Sequence, residues 1–198
     1  MTAAVFLKAP QPGKVKTRLA ESLGPEAACK AYRLLVAETL RRLPEHWSKS
    51  IFFTPVDAEQ EMREWLGTAG FFYPQCAGDL GDRQSDAVAR IIKNDSVILL
   101  GGDCPYLETA RLIEVEKVLA DHEAVLIPAA DGGYVALALK GFSADLFAGI
   151  VWGTDTVARQ LKENARQSGL DLVELEPSED VDTLAEWERA RDHFGWKL

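Results

Sequence analysis

The 198-residue sequence has few of the residues from which disulfide frameworks and zinc sites are built. Its three cysteines, Cys29, Cys76 and Cys104, are far apart and have no CxxC spacing. Scattered cysteines in an odd number support neither a disulfide framework nor a thiolate zinc site. No apolar run is long enough for a signal-peptide core or a membrane span. We therefore expect a cytoplasmic protein without a membrane partner.

Acidic residues are missing from the first 20 positions, although the chain as a whole is acidic. Asp and Glu number 31 against 22 Lys and Arg, a formal net charge of -9. Nucleic-acid binding needs basic charge spread over a face or groove, so this balance argues against it. The stretch KAPQPGKVKTRL nevertheless holds four cations, Lys8, Lys14, Lys16 and Arg18. A basic loop on an acidic chain predicts a site for a specific small anion.

Length and a hydrophobic content of 47% fit one domain over residues 1–198. Strand-like and helix-like segments alternate, which is typical of an α/β protein with a mostly parallel sheet. We predict strands at 3–7, 51–54, 71–74, 96–100, 124–127, 134–139 and 170–175. We predict helices from 25 to about 43 and at 57–66, 85–92, 107–119, 155–166 and 183–193. The strands at 124–127 and 134–139 are positioned to pair antiparallel.

Polar residues collect in three turns: the basic loop, the GGDCP turn at 101–105 and the DVDT turn at 180–183. In open α/β sheets, ligands bind just beyond the carboxyl ends of the strands. We therefore expect these three turns, although distant in sequence, to contribute to one site.

The basic loop is not the phosphate loop of an ATPase. The pattern GxxxxGK[ST] lacks its first glycine here, and Val15 follows the lysine in place of Ser or Thr. What remains is a backbone that can approach phosphate oxygens at Gly13, with lysines and an arginine to neutralise and orient them. The alternative is a solvated cationic turn. The position of the loop directly after the first strand favours the anion site.

Asp103 and Asp182 are candidate ligands for Mg²⁺ or Mn²⁺. Such hard cations often take only one or two carboxylates and leave the other positions to water and ligand phosphates. Each aspartate has an alternative role as a cap. Asp103 would cap the following turn or helix, and Asp182 the last helix, with Glu186 near the capping-box position. From the residues alone, both interpretations stay open.

Six features together resemble one family: KxPxPGKVKTRL, GDLGDR at 78–83, GGDCP, PAADGGY at 128–134, Trp152 and DVDT. They are similar to those of the radical-SAM/selenodomain-associated transferases, small bacterial glycosyltransferase-like proteins, and the match spans nearly the whole chain. This family resembles the nucleotide-diphospho-sugar transferase superfamily and, in pattern, molybdenum-cofactor and phospholactate guanylyltransferases. Some members are labelled glycosyltransferases of arsenosugar biosynthesis. The resemblance implies a glycosyltransferase A-type (GT-A) fold, with a Rossmann-like, mostly parallel sheet flanked by helices.

The resemblance also implies a role for each motif, with Lys16, Arg18 and Asp131 as the catalytic residues. The nucleotide would contact Lys8, Gly13, Lys14, Lys16 and Arg18 through its phosphates, and Gly78, Leu80 and Arg83 through its base or ribose. Asp103 and Asp182 would hold Mg²⁺ or Mn²⁺. The acceptor side would comprise Asp131, Gly132, Gly133, Tyr134 and Trp152.

Two reactions fit these residues, because the GGDCP turn differs from the DxD triad of many glycosyltransferases and the basic loop lacks the GxGxR pair of many pyrophosphorylases. In glycosyl transfer from a nucleotide sugar, a hydroxyl attacks an anomeric carbon and the inverting route needs a carboxylate base, for which Asp131 is the first candidate. In nucleotidyl transfer from a nucleoside triphosphate, an ionised phosphate or carboxylate attacks, and cations do most of the work. A non-catalytic nucleotide-binding protein is the third hypothesis. We favour glycosyl transfer to a small acceptor; donor, acceptor and oligomeric state depend on loop shapes.

Overall fold

A computed structural model describes residues 1–141 and 144–198 of the chain. Within these residues, the strands are β1 (Thr2–Lys8), β2 (Ser48–Thr54), β3 (Phe71–Pro74), β4 (Val97–Gly101), β5 (Ala124–Pro128), β6 (Tyr134–Leu139) and β7 (Leu172–Glu174). The helices are α1 (Thr17–Leu23), α2 (Pro25–Arg42), α3 (Glu59–Leu66), α4 (Leu80–Ile91), α5 (Thr109–Asp121), α6 (Val157–Gln167) and α7 (Leu184–Phe194), with a 3-10 helix at Ala144–Phe147. None of the described helices is long and apolar enough to cross a bilayer.

The described strands form one sheet in the order β3-β2-β1-β4-β6-β5-β7. Among them only β6 runs antiparallel to its neighbours, β4 and β5. The mostly parallel α/β fold predicted from the alternation of elements is therefore confirmed. The predicted antiparallel pairing is also confirmed, with Ala124 opposite Leu139 and Ile127 opposite Ala136.

Helices cover both faces of the sheet, because its central strands are apolar on both sides. On one face, Val5 and Leu7 of β1 are buried together with Val36 of α2. On the other, Ala4 of β1 is buried together with Val88 of α4. A strand buried on both faces has no polar alternation, which explains the continuous apolar runs of β1 and β4.

Helix α1 was not predicted, and α4 begins five residues earlier than predicted. Helix α1 is short, and Leu19 anchors it in a small core with residues of α2 and α7. Such a helix depends on tertiary packing rather than on propensity. Helix α4 begins at Leu80 because Asp79 and Asp82 form a reciprocal capping box, each carboxylate accepting the other's backbone N–H at 3.0 Å.

The topology brings the three polar turns together. Strand β1 lies beside β4, with Phe6 opposite Gly101, so the basic loop and the GGDCP turn leave the sheet at the same edge. The DVDT turn joins them, because the Val181 N–H donates to the Asp103 carbonyl oxygen at 3.0 Å. Residues separated by more than 160 positions therefore meet at the carboxyl edge of the sheet.

Candidate active site

The predicted phosphate and metal residues meet directly. The Lys16 ammonium lies 2.7 Å from a carboxylate oxygen of Asp103 and 3.3 Å from one of Asp182. Arg18 donates to the second carboxylate oxygen of Asp182 at 2.8 Å. The Lys16 side chain is only 5% exposed, whereas the carboxylates are 30% and 35% exposed. The ammonium is thus enclosed by groups that are themselves open to solvent.

The backbone directs Lys16 into this position. Lys16 is the residue before α1 and adopts a left-handed conformation with φ 45° and ψ 52°. Among the described residues it is the only non-glycine residue with positive φ. This conformation costs about 1 kcal/mol or more for a residue with a Cβ, so the surrounding contacts must hold it. Two ion pairs to one buried ammonium supply such contacts.

The charges of this cluster stabilise one another. Burial opposes the charged form of Lys16, but the neighbouring carboxylates, chiefly Asp103, offset it and raise the pKa of the lysine. Burial likewise opposes ionisation of Asp103, yet the charge and hydrogen bond of Lys16 hold the pKa of that carboxyl below its usual value. Lys16 and Asp103 are therefore both charged at neutral pH.

The arrangement of Asp103 and Asp182 fits a divalent cation. Both carboxylates converge on a single positive charge, the ammonium of Lys16. Within 1–141 and 144–198, no group of three His, Cys, Asp or Glu side chains is placed to hold a metal. Two carboxylates suffice for Mg²⁺ when water and phosphate oxygens complete the shell. A metal ion and the ammonium cannot share this place, so Lys16 would have to move for a metal to bind.

Asp180 is a candidate site residue to which the sequence analysis gave no individual role, although it lies in the predicted DVDT turn. It borders the same cleft as Asp103 and Asp182. Burial, followed by the negative charge of Asp103, raises the pKa of Asp180 to about 6. A carboxyl that titrates near neutral pH is suited to accept a proton. The signal was the two-residue spacing to Asp182, which places both carboxylates on one side of an extended turn.

Two clefts adjoin the cluster and share Asp103 and Asp182 in their walls. We call the smaller one, of about 240 Å³, the basic cleft, because Lys8, Lys14 and Lys16 line it. We call the larger one, of about 540 Å³, the acidic cleft. Its charged lining residues are Arg18, Asp103, Asp131, Asp155, Asp180 and Asp182.

The residues predicted to bind the nucleotide do not all lie in one cleft. Lys8 and Lys14 are exposed on the basic cleft, and neither makes an ion pair among the described residues. Gly13 has φ +76° in the same loop, a conformation that favours glycine. Leu80 lines the acidic cleft instead. The remaining two line neither cleft: Gly78 lies against the Asp82 side chain, and Arg83 makes a long 3.4 Å hydrogen bond to Gln75.

The acceptor-side residues come from two loops that touch. An Asp131 carboxylate oxygen accepts the Gly133 N–H at 2.9 Å, which fixes this turn. Gly132 has φ +88°, and a Cβ there would lie 2.0 Å from the Asp155 carbonyl oxygen. Only glycine allows this approach, which places Asp131 and Asp155 along one wall of the acidic cleft.

Tyr134 and Trp152 are aromatic residues in the lining of that cleft. The Tyr134 hydroxyl donates to the side-chain carbonyl of Gln84, and burial raises the pKa of the phenol. Trp152 covers Gly81 at the start of α4, since a Cβ on that glycine would lie 3.0 Å from the indole ring. Four of the five residues predicted for the acceptor side, Asp131, Gly133, Tyr134 and Trp152, line this cleft, whereas Gly132 does not.

Comparison with known proteins identifies the class to which this fold and site belong. The chain shares 34% identity with a Desulfovibrio desulfuricans G20 protein assigned as a nucleotide-diphospho-sugar transferase, over 92% of this chain and 84% of that one, with a TM-score of 0.86. The chain is thus placed in the nucleotide-diphospho-sugar transferase superfamily. Residues 39–154 match the family DUF2064, described as uncharacterized proteins conserved in bacteria. This chain belongs to that family.

More distant structures share the fold alone. A cytidylyltransferase from Leptospira borgpetersenii has a TM-score of 0.66 at 16% identity, covering 100% of this chain and 87% of its own. The 4-diphosphocytidyl-2C-methyl-D-erythritol synthase of Anaerococcus prevotii has a TM-score of 0.63 at 12% identity, covering 98% and 99%. A search of curated protein sequences gives no match. The predicted GT-A-type fold is consistent with both kinds of transferase structure.

Proposed function

We propose that this protein is a metal-dependent glycosyltransferase that moves a sugar from a nucleotide sugar to a small acceptor. One observation carries the proposal: Asp103 and Asp182 stand between a cleft lined by lysines and a cleft lined by carboxylates. The assignment of the 34% identical relative supports a nucleotide-using transferase. We propose further that residues 1–198 act as one domain in the cytoplasm. The association with radical-SAM and selenodomain proteins belongs to the same proposal.

The basic cleft would bind the donor diphosphate. Lys8 and Lys14 are cations there without an ion pair among the described residues, and Gly13 lets the backbone approach the phosphate oxygens. Asp103 and Asp182 would hold Mg²⁺ or Mn²⁺, which supplies positive charge next to the diphosphate. Lys14, Lys16 and Arg18 would stabilise the negative charge that grows on the departing diphosphate, an interaction stronger in the transition state than in the ground state.

The acidic cleft would hold the acceptor and its base. The acceptor oxygen would form a bond to the anomeric carbon of the donor sugar. At the same time, the bond between that carbon and the diphosphate would break, and the electron pair of the breaking bond would stay on the diphosphate. The hydroxyl proton passes to a carboxylate. Asp131 is the candidate that the sequence indicated, and Asp180 is a second candidate on the same cleft. Arg18 reaches the same cleft and would stay close to the departing charge.

Lys16 would couple nucleotide binding to metal binding. Without nucleotide, its ammonium occupies the place between Asp103 and Asp182. Donor phosphates offer a second set of anions to the same side chain. Once Lys16 pairs with these phosphates, Asp103 loses its cationic partner and Asp182 keeps only Arg18, so both carboxylates can turn to the metal. The nucleotide and the metal should therefore bind with positive cooperativity.

Nucleotidyl transfer is the second candidate function. The unpaired Lys8 and Lys14, added to Lys16 and Arg18, give more positive charge than a nucleoside diphosphate leaving group requires. The phosphates of a triphosphate donor would carry enough negative charge to interact with all four cations. The two functions differ in their products, pyrophosphate for this one and free nucleoside diphosphate for glycosyl transfer.

The experiment is a binding panel followed by product analysis. Nucleoside triphosphates, nucleoside diphosphates and nucleotide sugars are titrated with and without Mg²⁺ or Mn²⁺, on wild type and Asp103→Ala. We expect metal-dependent binding that Asp103→Ala abolishes. Release of nucleoside diphosphate from a sugar donor selects glycosyl transfer. Binding that ignores metal and survives Asp103→Ala would overturn the proposed site, and tight binding without any product would indicate a non-catalytic protein.

A further inference from the structure

The acidic cleft combines an aromatic surface with carboxylates. Trp152 lies over Gly81, which has no side chain to displace the indole, and the ring also borders the cleft. Leu80, 40% exposed, lines the cleft beside it. An aromatic face next to hydrogen-bonding groups suits a ring that has apolar C–H faces and polar edges. Polyhydroxylated rings have this combination.

The charges of the cleft exclude one class of ligand. Of its five carboxylates, Asp103 and Asp182 are paired with Lys16 and Arg18. Asp131, Asp155 and Asp180 form no ion pair among the described residues. Arg18 is the only cation among the described residues that line the cleft, and it is engaged with Asp182. In the metal-free protein, a phosphate or carboxylate placed beside Asp131, Asp155 and Asp180 would meet three negative charges that no cation of the described residues compensates.

A buried amide adds a neutral donor. Gln84 is 5% exposed, lines the cleft, and accepts the Tyr134 hydroxyl on its carbonyl oxygen. Its amide nitrogen has no protein acceptor within the described part of the chain. This nitrogen is not one of the fully buried unpaired polar atoms of the described residues, so it is open to the cleft and can donate to a ligand there. A sugar hydroxyl can accept from Gln84 while it donates to a carboxylate.

We propose that the acidic cleft is an acceptor subsite for a polyhydroxylated ring that carries no negative charge. The ring would stack on Trp152 and hydrogen-bond to Gln84 and to the unpaired carboxylates. Sugar phosphates and uronic acids would be rejected. The role as acceptor rests on the proposed glycosyl transfer, whereas binding of the ring does not.

The test uses matched pyranosides that differ in charge. Methyl glucoside, methyl glucosaminide, methyl glucuronide and glucose 6-phosphate are titrated by ligand-observed NMR onto wild type. We expect the neutral and cationic rings to bind at least about tenfold more tightly than the anionic ones. Trp152→Ala should weaken the neutral ring about tenfold, whereas Trp152→Phe, which keeps an aromatic face, should restore most of the affinity. Val151→Ala is the neighbouring control and should bind like wild type.

Asp131→Asn is the charge-specific variant, because the amide keeps the oxygen that accepts the Gly133 N–H. It should selectively improve binding of the anionic rings, by about threefold or more. Anionic rings that bind wild type as tightly as neutral ones, neutral binding unaffected by Trp152→Ala, or no binding of the neutral and cationic rings would each overturn the proposal. Nucleotide titration in parallel separates the hypotheses: if the neutral ring binds at Trp152 but no nucleotide binds, the proposed function fails and the subsite stands.

Discussion

The basic and acidic clefts share Asp103 and Asp182 but differ in charge and in surface. The basic cleft presents Lys8 and Lys14, which pair with no carboxylate among the described residues. The acidic cleft presents Asp131, Asp155 and Asp180, which pair with no cation of that part of the chain. Between them, Lys16 and Arg18 are already paired with the shared carboxylates. The basic cleft, where a diphosphate would lie, is thus rich in positive charge, whereas the acidic cleft, where an acceptor would lie, is not. This division explains how an acidic protein would bind an anionic donor without attracting anionic acceptors.

The largest expected effect comes from Asp103→Asn, because Asp103 belongs to both clefts. The variant would lose one metal ligand and leave the buried Lys16 ammonium with Asp182 as its nearest partner. We expect metal-dependent nucleotide affinity to fall about 100-fold and the free energy of unfolding to fall by about 2 kcal/mol. Isothermal titration and urea unfolding measure the two effects. Asp121→Asn, at the exposed end of α5, is the control, and an unchanged nucleotide affinity in Asp103→Asn would contradict the shared role.

Gly132→Ala should damage the acidic cleft while leaving the basic cleft intact. Its Cβ would meet the Asp155 carbonyl oxygen at 2.0 Å, in a backbone conformation with φ +88°. We expect a loss of about 2 kcal/mol in stability and weaker pyranoside binding, with nucleotide affinity nearly unchanged. Gly141→Ala is the matched control, because a Cβ there meets nothing within 4 Å. Equal losses of nucleotide and pyranoside affinity would show that the two clefts are not independent.

Asp180→Asn tests the crowding of negative charge. Because the pKa of Asp180 is raised to about 6 from 3.8, the folded state binds this proton more tightly than the unfolded state does. The ionised carboxylate therefore destabilises the fold above pH 6, and this penalty disappears as the pH falls through 6 towards 4. We expect Asp180→Asn to stabilise the metal-free protein by about 1–2 kcal/mol at pH 8 and by little at pH 4. Urea unfolding in EDTA across this pH range measures the difference; equal effects at both pH values would refute it.

Lys14→Ala should give the smallest effect. Lys14 is exposed and unpaired among the described residues, so its removal breaks no internal interaction. We expect nucleotide affinity to fall about three- to tenfold, more at low salt, without a change in unfolding free energy. Titrations at two ionic strengths provide the measurement, with pyranoside binding as the internal control. A loss that does not depend on salt would argue against a simple phosphate contact.

The sequence predicted the fold better than the arrangement of the site. Buried strands such as Val97–Gly101 stand out as apolar runs that end in glycine. The insertion of β6 between β4 and β5 depends on pairing that no local pattern specifies. Likewise, α1 is short and exists because Leu19 packs against distant helices. Local propensity does not report such long-range packing.

Within the site, the residue types were recognisable, whereas their contacts were not. The sequence indicated the cations and Asp103, but it gave no sign that Lys16 would lie between two carboxylates, because this position depends on a left-handed backbone at a non-glycine residue. The family resemblance also implies nucleotide contacts for Gly78 and Arg83, which line neither cleft, and these contacts stay a prediction. Their motif also opens α4 through a capping box. The raised pKa of Asp180 depends on burial, which requires the complete fold.

The central claim is that Lys16 occupies the metal position until a nucleotide draws it away. A Mn²⁺ titration followed by electron paramagnetic resonance, with and without a nucleoside diphosphate and corrected for the Mn²⁺–nucleotide complex, tests it directly on wild type and Lys16→Met. We predict that the nucleotide raises the Mn²⁺ affinity of wild type about tenfold or more. Lys16→Met should bind Mn²⁺ about tenfold more tightly than wild type without nucleotide and respond less to it. The exposed Lys30→Met should behave like wild type. Two results together would contradict the claim: Lys16→Met binds Mn²⁺ no more tightly than wild type, and the nucleotide does not change the Mn²⁺ affinity of wild type.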